Sequence, residues 1–334
     1  MSSTLKILVS DPGIFSGAHS VDGMQVIRCE PSPVSIAQVL SEEVSVLLTE
    51  VIPDIGHTSR ALRWIHLLSA GYDQLVGHPI CGRSGLRIST SAGVCAGHMA
   101  EFVVGQILRH VKRFDEMAAL QETRHWPDRV RMATDTLRGR RAVIVGYGAA
   151  GRESARLLRA LGVEVDVVQR SNGRQKFVGY MPFPGMGDPE GSLPGRVFTL
   201  DCLYEAVAEA DFVILSIPLT ERTRHLLNVS VLRALKRGAV IINIARGALI
   251  DHDALRQALE AGHVAHAYLD VFPVEPLPSN SPIWNFPQTS VTPHMAGVVP
   301  MDNTMAESLF RDNLERFRSG RPLLNEILPE KLLS

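Results

Sequence analysis

Short runs of consecutive apolar residues alternate along this chain with longer segments whose apolar residues recur every three or four positions. An uninterrupted apolar run of this length is typical of a parallel strand that is covered on both faces. We predict strands at residues 7–9, 44–48, 65–68, 142–145, 163–168, 212–217 and 240–244. Because helical segments separate these strands, the pattern predicts an α/β fold with doubly wound parallel sheets.

Two helices and one long loop stand out in the same pattern. The spacing predicts a long helix over residues 98–117 and a tail helix over residues 303–318. Between the strands at 163–168 and 212–217, the segment 172–196 contains six glycines and four prolines in 25 residues. Since the strand pattern resumes after it, this segment is predicted to be a long surface loop, and its role is not predicted.

Length and composition narrow the class of protein. A chain of 334 residues suggests two domains. The formal net charge of −1 indicates no basic face, which argues against a nucleic-acid partner. We find no apolar run near the roughly 18 residues of a membrane span, and no secretory signal at the start, so we expect a cytoplasmic protein without a membrane partner. The four cysteines, Cys29, Cys81, Cys95 and Cys202, form no CxxC pair and are expected to be reduced.

A glycine motif follows the predicted strand at 142–145. Gly146, Gly148 and Gly151 fit the G-x-G-x-x-G fingerprint, and a segment with helical spacing follows them. In this context the first glycine permits a tight turn, the second lets a pyrophosphate approach the backbone, and the third lets helix and strand pack closely. The motif predicts a dinucleotide whose pyrophosphate lies at the helix N-terminus.

The end of the next strand bears on the choice of dinucleotide. Proteins that prefer NAD usually carry an acid there to bind the ribose 2′-hydroxyl, but this chain has Gln169, Arg170 and Ser171. Arginine and serine can bind a 2′-phosphate, which an acid would repel. Asp166 is the nearest acid and stands three positions too early. The sequence therefore favours NADP(H) over NAD(H).

Three residues with complementary chemistry follow later strand-like runs. They are Arg246, Glu275 and His294. Reduction of a 2-keto acid needs a proton for the oxygen, which a histidine supplies near neutral pH. A glutamate on the other imidazole nitrogen would orient the ring, and an arginine would bind the substrate carboxylate with two parallel hydrogen bonds. Together they predict a catalytic set. The remaining histidines have no cysteine or carboxylate partners at ligand spacing, so no metal site is predicted.

These motifs resemble the D-isomer-specific 2-hydroxyacid dehydrogenases, which include glyoxylate/hydroxypyruvate reductases. The resemblance runs from about residue 63 to residue 325, and the first 60 residues match only in pattern. The matching segments are Ser69–Asp73, Met99–Glu101, the glycine fingerprint, Ala210–Asp211 with Pro218–Thr220, Asn243–Gly247, Leu269–Val271, Glu275–Pro276 and Pro293–His294.

The resemblance implies roles and a layout that the residues alone do not show. It places Arg246, Glu275 and His294 in catalysis and gives the backbone of Ala70 and Gly71 to the substrate carboxylate. The implied cofactor contacts are Gly146, Gly148, Ala149, Ala150, Gly151, Gln169, Arg170, Ser171, Pro218, Thr223, Ala245 and Asp270. Ala150 replaces the larger aliphatic residue that is usual in the family.

The family's layout further implies a Rossmann cofactor domain, residues 98–294, inserted into a flavodoxin-like substrate domain formed by residues 1–97 and 295–334. It also implies an active site in the cleft between them, a product of D (R) configuration and a homodimer, for which the segments around residues 98 and 126 are candidate interface elements.

The substrate side chain is less well determined. Thr49, Glu50 and Val51 offer no basic group for a second anion, although Arg124, Arg129 and Arg131 weaken that argument against a phosphorylated substrate. We therefore expect a small or hydrophobic 2-keto acid such as glyoxylate, hydroxypyruvate or an aromatic pyruvate. Two alternatives stay open, an NAD-dependent formate or phosphite dehydrogenase and a dinucleotide-sensing protein of the corepressor type.

Overall fold

The computed structural model of this chain describes residues 5–40, 43–53, 59–298 and 304–328. Within these ranges the strands are β1 Lys6–Val9, β2 Ser20–Val21, β3 Met24–Arg28, β4 Val44–Thr49, β5 Trp64–Leu67, β6 Arg87–Thr90, β7 Arg141–Val145, β8 Glu164–Val168, β9 Val197–Phe198, β10 Phe212–Leu215, β11 Ala239–Asn243, β12 Val264–Leu269 and β13 Thr289–Val291. The α-helices are α1 Pro33–Val39, α2 Ala96–Val111, α3 Phe114–Glu122, α4 Ala149–Ala160, α5 Leu203–Val207, α6 Val229–Ala234, α7 His252–Glu260 and α8 Thr304–Arg318. Every strand predicted from the apolar runs is present, with ends shifted by a few residues.

The chain divides into two compact units. Unit 1 comprises residues 1–94, 178–184 and 299–334, and unit 2 comprises residues 95–177 and 185–298. The units therefore change at 94/95 and 298/299, where the predicted domain boundaries stood at 97/98 and 294/295. A seven-residue part of the Gly/Pro-rich segment, 178–184, also belongs to unit 1, because Tyr180 donates its backbone N–H to Asn325 Oδ1 at 3.2 Å.

Unit 1 is built on a sheet whose strand order is β2-β3-β1-β4-β5-β6 in the described residues. Its pairs are parallel, except that β2 and β3 form an antiparallel hairpin. Without β2 the order is the 2-1-3-4-5 of flavodoxin-like sheets. On one face, α8 places Phe310 against Trp64 with ring centroids 4.9 Å apart. The predicted flavodoxin-like α/β unit is confirmed.

Unit 2 has a parallel sheet with the order β13-β12-β11-β10-β7-β8-β9 in the part of the chain that is described. Counted from β7, this is the 3-2-1-4-5-6 order of dinucleotide-binding sheets with one further strand. Both faces are covered by apolar clusters, which explains why β10 and β11 contain almost only apolar residues. The carboxyl ends of β7, β8, β10, β11, β12 and β13 all lie on one edge of this sheet.

The predicted single helix over residues 98–117 is wrong. The helix α2 ends at Val111, and Arg113 takes a left-handed backbone with φ of 56° before α3 begins at Phe114. Apolar spacing continues through this break, which is why the pattern did not reveal it. Helix α3 buries none of its residues, so the periodicity of Phe114 and Met117 marks an exposed face and not a core.

The predicted tail helix is present, and the Gly/Pro-rich segment is partly buried. The tail helix α8 is described from Thr304, and its predicted first residue, Asn303, lies outside the described residues. Residues 172–196 contain no helix or strand, as predicted, but Gly187, Asp188, Gly191 and Pro194 are buried. The description of this segment as a surface loop is therefore wrong at its centre. In the described ranges no helix is long and apolar enough to cross a bilayer.

Candidate active site

The glycine fingerprint forms the tight connection between β7 and α4. Gly146 has a φ of 100°, and a Cβ there would collide with the backbone carbonyl of Ser216. A Cβ on Gly151 would collide with the carbonyl oxygen of Gly146. Ser216, at the end of β10, donates its hydroxyl to that same carbonyl at 2.7 Å. The first and third glycines are thus required by backbone packing within the protein.

Gly148 differs from its two neighbours in the motif because nothing lies within 4 Å of the position its Cβ would take. It stands immediately before α4, on a groove of about 480 Å³ along the edge of the sheet. The first turn of α4 leaves backbone N–H groups without helical partners, which suits an anion. This open backbone at a helix N-terminus fits the pyrophosphate of a dinucleotide.

The residues that follow β8 form one end of this groove. Gln169 donates its side-chain amide to the carbonyls of Ser171 and Gly173, at 3.1 Å and 2.7 Å, and so closes a turn. Arg170 is exposed and lines the groove, and no described residue forms an ion pair with it. Asp166 is 1% exposed and is paired with Arg141 and Arg196, both at 2.8 Å.

The loop after β10 forms the opposite wall of the groove. The Thr223 hydroxyl donates to the carbonyl of Pro218 at 2.9 Å and accepts from the backbone N–H of Thr220 at 2.7 Å. Thr223 is buried, so these bonds hold the loop in one shape. Pro218 and Thr223 both line the groove, and the cofactor contact that the resemblance implies for them stays a prediction.

The loop that carries Arg246 is shaped by a buried asparagine at the end of β11. Asn243 accepts the backbone N–H of Ala245 at 3.0 Å and donates to the carbonyl of Arg246 at 2.9 Å. Gly247 packs directly on the backbone of Phe272, which follows β12, and a Cβ would not fit there. Arg246 is half-buried, and one of its terminal nitrogens donates to the Ala245 carbonyl at 2.7 Å.

Glu275 and His294 are in direct hydrogen-bond contact. Oε2 of Glu275 lies 2.7 Å from Nδ1 of His294. The other oxygen, Oε1, accepts the backbone N–H of Phe272 at 2.8 Å, so the carboxylate is itself held in place. The two side chains are 34% and 50% exposed. Within the described residues no group bonds to Nε2 of His294, so this nitrogen is available for a bond to a ligand.

Asp270 holds the loop on which His294 stands. Its carboxylate is 1% exposed and accepts from the Thr292 hydroxyl at 2.6 Å, from the Met295 N–H at 2.8 Å and from the Ala296 N–H at 2.9 Å. The Asp270 carbonyl accepts the N–H of His294 at 2.9 Å. His294 has a φ of 55°, and this network is what holds such a disfavoured backbone in place.

The predicted substrate-binding turn lies in unit 1, directly after β5. The Ser69 hydroxyl donates to the carbonyl of Gly71 at 2.7 Å, which fixes the turn that contains Ala70. Ala70 is exposed and Gly71 is half-buried. The substrate contact assigned to their backbone N–H groups stays a prediction.

The predicted cofactor residues separate into two groups. The groove is lined by Gly146, Gly148, Gln169, Arg170, Ser171, Pro218 and Thr223. Gly151 has a packing role, Ala149 and Ala150 open α4, and Ala245 and Asp270 lie at the ends of β11 and β12. The described ranges contain no group of three metal-ligating side chains.

Sequence reasoning overlooked Ser216 and Arg152. Arg152 lies in the first turn of α4, where the helix dipole disfavours a cation, and it is 3% exposed. An arginine in the first turn of a helix is an unusual placement, and this signal could have identified Arg152 from the sequence.

Comparisons with known proteins identify the family of this chain. The sequence model of the family described as "D-isomer specific 2-hydroxyacid dehydrogenase, NAD binding domain" matches residues 104–296. A glyoxylate reductase of Thermofilum pendens is 31% identical over 282 residues, which is 83% of this chain and 78% of that protein. A crystal structure of a D-isomer specific 2-hydroxyacid dehydrogenase from Xanthobacter autotrophicus, in complex with NADPH and MES, superposes with a TM-score of 0.75 at 26% identity and covers 99% of this chain and 100% of that chain.

A further solved structure agrees in fold. The NADPH-dependent glyoxylate/hydroxypyruvate reductase of Sinorhizobium meliloti, in complex with NADP and sulfate, has a TM-score of 0.80 at 24% identity, over 98% of this chain and 100% of that one.

Proposed function

Because the chain belongs to the D-isomer specific 2-hydroxyacid dehydrogenase family, we propose that it reduces a small 2-keto acid to the D-2-hydroxy acid with NADPH as the preferred hydride donor. The family supports NAD(P)-dependent hydride transfer on 2-hydroxy acids. The contact between Glu275 and His294, at 2.7 Å on the carboxyl edge of the unit 2 sheet, is the observation that most strongly supports catalysis.

His294 is proposed as the general acid for reduction and the general base for oxidation. Glu275 occupies Nδ1, so the proton that is transferred resides on Nε2. The carboxylate also stabilises the positive charge of the imidazole while Nε2 holds that proton. The φ of 55° at His294 and the bonds to Asp270 fix the direction in which the ring points. A proton donor with a fixed position can act without reorganisation during the reaction.

Arg246 is proposed to bind the substrate carboxylate and to polarise the ketone. Its loop is rigid, because Asn243 fixes the backbone on one side and Gly247 packs against Phe272 on the other. A guanidinium presents parallel donors that match the two oxygens of a carboxylate. The D configuration of the product is proposed from the chain's resemblance to the family.

The groove fits a nicotinamide dinucleotide, which supplies the hydride when bound. The open position at Gly148 and the N-terminus of α4 suit the pyrophosphate, and the loop of Pro218 and Thr223 lines the opposite wall. NADPH is favoured because Arg170 and Ser171 stand where an acid would select NADH. Asp166 cannot act as the acid that binds the ribose 2′-hydroxyl, since it is buried and paired with two arginines. The Xanthobacter relative was solved with NADPH, which supports the same preference.

Glyoxylate and hydroxypyruvate are the substrates that we propose first. Relatives with these names include the Thermofilum protein and a hydroxypyruvate reductase of Thermotoga maritima, which is 32% identical over 241 residues, 70% of this chain and 71% of that protein. Glyoxylate and hydroxypyruvate are both small 2-keto acids, and each has the carboxylate that Arg246 would bind.

A homodimer is proposed as the assembly. Helix α3 buries none of its residues, and Trp126 and Val130 just beyond it are 87% and 81% exposed. An apolar hollow of about 640 Å³ lies here, lined in part by Met117, Leu120 and Trp126. Exposed apolar surface of this kind marks interaction sites. The molar mass in solution, compared between the wild type and Trp126→Glu, tests this: a wild-type monomer would contradict the proposal.

The direct test of the activity is the loss of nicotinamide absorbance with purified protein. NADPH and NADH are compared in parallel against glyoxylate, hydroxypyruvate, pyruvate and phenylpyruvate. Turnover that is faster with NADPH is expected, and chiral analysis of the product should show the D acid. Tight cofactor binding without turnover of any keto acid would contradict the proposal.

A further inference from the structure

The Gly/Pro-rich segment is anchored to the cofactor domain at defined points. We call residues 172–177 and 185–196, the parts that belong to unit 2, the strap. We propose that the strap is a specificity element, which holds the turn of residues 169–175 in the shape that receives the 2′-phosphate of the cofactor. This inference rests on the proposed NADPH preference, and it assigns new positioning roles to Arg152, Asp188 and Gly191.

Arg152 is the first anchor. Its guanidinium donates to three backbone carbonyls, those of Tyr147 at 3.1 Å, Asp188 at 2.5 Å and Gln175 at 2.8 Å. It also stacks on the ring of Tyr147 at 4.4 Å and on that of Phe177 at 5.2 Å. A buried cation needs such partners, because the burial of a charge without them is strongly unfavourable. One side chain therefore joins the glycine loop to both halves of the strap.

Asp188 is the second anchor, 4% exposed. It accepts from the hydroxyl of Tyr147 at 2.7 Å and from the backbone N–H groups of Ser192 and Leu193, both at 2.9 Å. These bonds hold the pKa of the Asp188 carboxyl below its usual range, although burial opposes them. A carboxylate bound in this way fixes the returning half of the strap against the fingerprint residue Tyr147.

Glu153, which is also buried, is the third anchor, and like Arg152 it lies on α4. Its Oε2 accepts the backbone N–H of Gly187 at 2.6 Å, and Arg156 forms an ion pair with the same carboxylate at 2.5 Å. Two consecutive strap positions, Gly187 and Asp188, are thus bound to the first turns of α4, the helix proposed to receive the pyrophosphate. The strap cannot shift without breaking several of these bonds at once.

Gly191 connects this anchored half to the wall of the groove. It has a φ of 68°, and a Cβ there would stand 2.5 Å from the carbonyl oxygen of Gln175 and 3.0 Å from its nitrogen. Phe177 also donates its N–H to the carbonyl of Pro189 at 2.8 Å. Gln175 lines the groove together with Arg170 and Ser171, so the strap sets the backbone behind the groove's basic end.

Arg152 lines the groove but is only 3% exposed, and its bonds favour a positioning role over direct phosphate binding. Each of the three nitrogens of its guanidinium already donates to a backbone carbonyl. Its side chain is also covered by two aromatic rings, so the charge is directed into the strap. Arg170 remains the group that would meet the phosphate, and the strap acts through the turn that presents it.

The test compares two fragments of the cofactor on the full-length protein. Adenosine 2′,5′-bisphosphate carries the 2′-phosphate, and 5′-AMP lacks it. Dissociation constants are measured by titration calorimetry for the wild type, Asp188→Asn and Gly191→Ala, neither of which lines the groove. We expect both variants to bind the bisphosphate about tenfold more weakly, as for the loss of one charge-assisted hydrogen bond, and to bind 5′-AMP within twofold of the wild type.

Matched controls separate this effect from general damage. Glu190→Gln makes the same acid-to-amide change in an exposed pair with Lys176, and Gly185→Ala substitutes another left-handed glycine that has no neighbour within 4 Å. Both should bind the two fragments like the wild type. Arg152→Lys keeps the charge but cannot reach three carbonyls, so it should behave like Asp188→Asn. Far-ultraviolet circular dichroism confirms that each variant is folded.

Each other outcome has a definite meaning. A wild type that binds the two fragments equally would overturn the NADPH preference, and the strap's specificity role with it. In another outcome, the wild type prefers the bisphosphate and both Asp188→Asn and Gly191→Ala keep this preference. That result would overturn the strap inference and leave the NADPH preference intact. Equal weakening of both fragments would also overturn it, because the strap would then shape the groove as a whole. Wild-type binding by Arg152→Lys would remove Arg152 from the positioning role.

Discussion

Nδ1 of His294 lies 2.7 Å from Oε2 of Glu275, while the other oxygen of Glu275 accepts the backbone N–H of Phe272. The pair is therefore oriented from the protein side, and Nε2 is the atom left for chemistry. His294→Ala should lower kcat by a factor of roughly 10² to 10⁴, the usual contribution of a positioned acid. The dissociation constant of NADPH should stay within twofold, because the groove does not include His294.

Glu275→Gln is the matched variant for this pair. The amide oxygen can still accept from Phe272, but the charge that stabilises a protonated ring is lost. Steady-state kinetics should show a smaller fall in kcat than for His294→Ala, with the KM of the keto acid little changed. An unaltered kcat in His294→Ala would remove that residue from the role of acid.

Arg246 is expected to act mainly on substrate binding. Arg246→Ala removes the proposed carboxylate contact, so the KM of glyoxylate should rise about 100-fold, as for the loss of roughly 3 kcal/mol. Arg246→Lys keeps the charge without the parallel donors and should recover only part of this loss. Initial rates over a range of glyoxylate concentrations measure both. A KM that is unchanged in both variants would contradict the assignment.

Arg170 is expected to decide between the two cofactors. Arg170→Ala should weaken NADPH about tenfold and leave NADH within twofold, since a charge-assisted bond to the 2′-phosphate is lost. Arg174→Ala is a nearby control, because that side chain is exposed and does not line the groove. The comparison of kcat/KM for NADPH and NADH checks this. Equal losses for both cofactors would show that Arg170 does not contact the 2′-phosphate.

Gly247 should tolerate no side chain. A Cβ at this position would overlap the backbone of Phe272, so Gly247→Ala must displace the Arg246 loop and should destabilise the protein by about 3 kcal/mol or more. Gly105→Ala makes the same change on the exposed face of α2, with no neighbour within 4 Å, and should stabilise by about 0.5–1 kcal/mol. Urea unfolding measures both. Equal effects of the two substitutions would contradict the packing argument.

His66 should make the stability of unit 1 depend on pH. It is completely buried and bonded as a neutral ring: Nδ1 lies 2.7 Å from the Ser89 hydroxyl, which itself accepts from Trp64, and Nε2 lies 3.2 Å from the Ser91 hydroxyl, which donates to the Leu67 carbonyl. Nδ1 therefore accepts and Nε2 donates. Burial lowers the pKa of His66 to about 3, from an ordinary value of 6.5.

The sign of the effect follows from this lowered pKa. Between pH 6.5 and about 3 the unfolded chain binds a proton at His66 that the folded chain does not bind, so stability is full above pH 6.5 and falls as the pH falls. The loss from this residue should reach about 2 kcal/mol at pH 5. His66→Gln, with both donor and acceptor retained, should reduce the difference in unfolding free energy between pH 7 and pH 5. His19→Gln changes an exposed histidine of the same unit and should leave that difference unaltered.

Much of unit 2 could be predicted from local sequence. The β-branched runs at 142–145 and 240–244 are typical of a covered parallel sheet, and three glycines in this spacing between a strand and a helix are typical of a dinucleotide-binding turn. Residue type and position after a strand also marked Arg246, Glu275 and His294 as candidates. Such features depend on a few consecutive residues and a general rule about the edge of a parallel sheet.

The break at Arg113 and the anchoring of the strap could not be predicted in this way. Helix α2 ends at Val111 although the apolar spacing continues into α3, which buries none of its residues. Spacing alone cannot tell a core face from an exposed one. Likewise, glycines and prolines in residues 172–196 indicated an irregular segment, which most often means an exposed loop. Its contacts with Arg152 join residues more than 20 positions apart.

Local sequence therefore identified the candidate reactive residues and the elements that carry them, since residue types and backbone propensities act over short distances. The three-dimensional structure decided which groups meet. It brought Glu275 within hydrogen-bond distance of His294, paired Asp166 with two arginines and buried Asp188 beneath the glycine loop. Those outcomes depend on how strands far apart in the chain are ordered in one sheet, and packing energy, which is summed over many distant residues, determines that order.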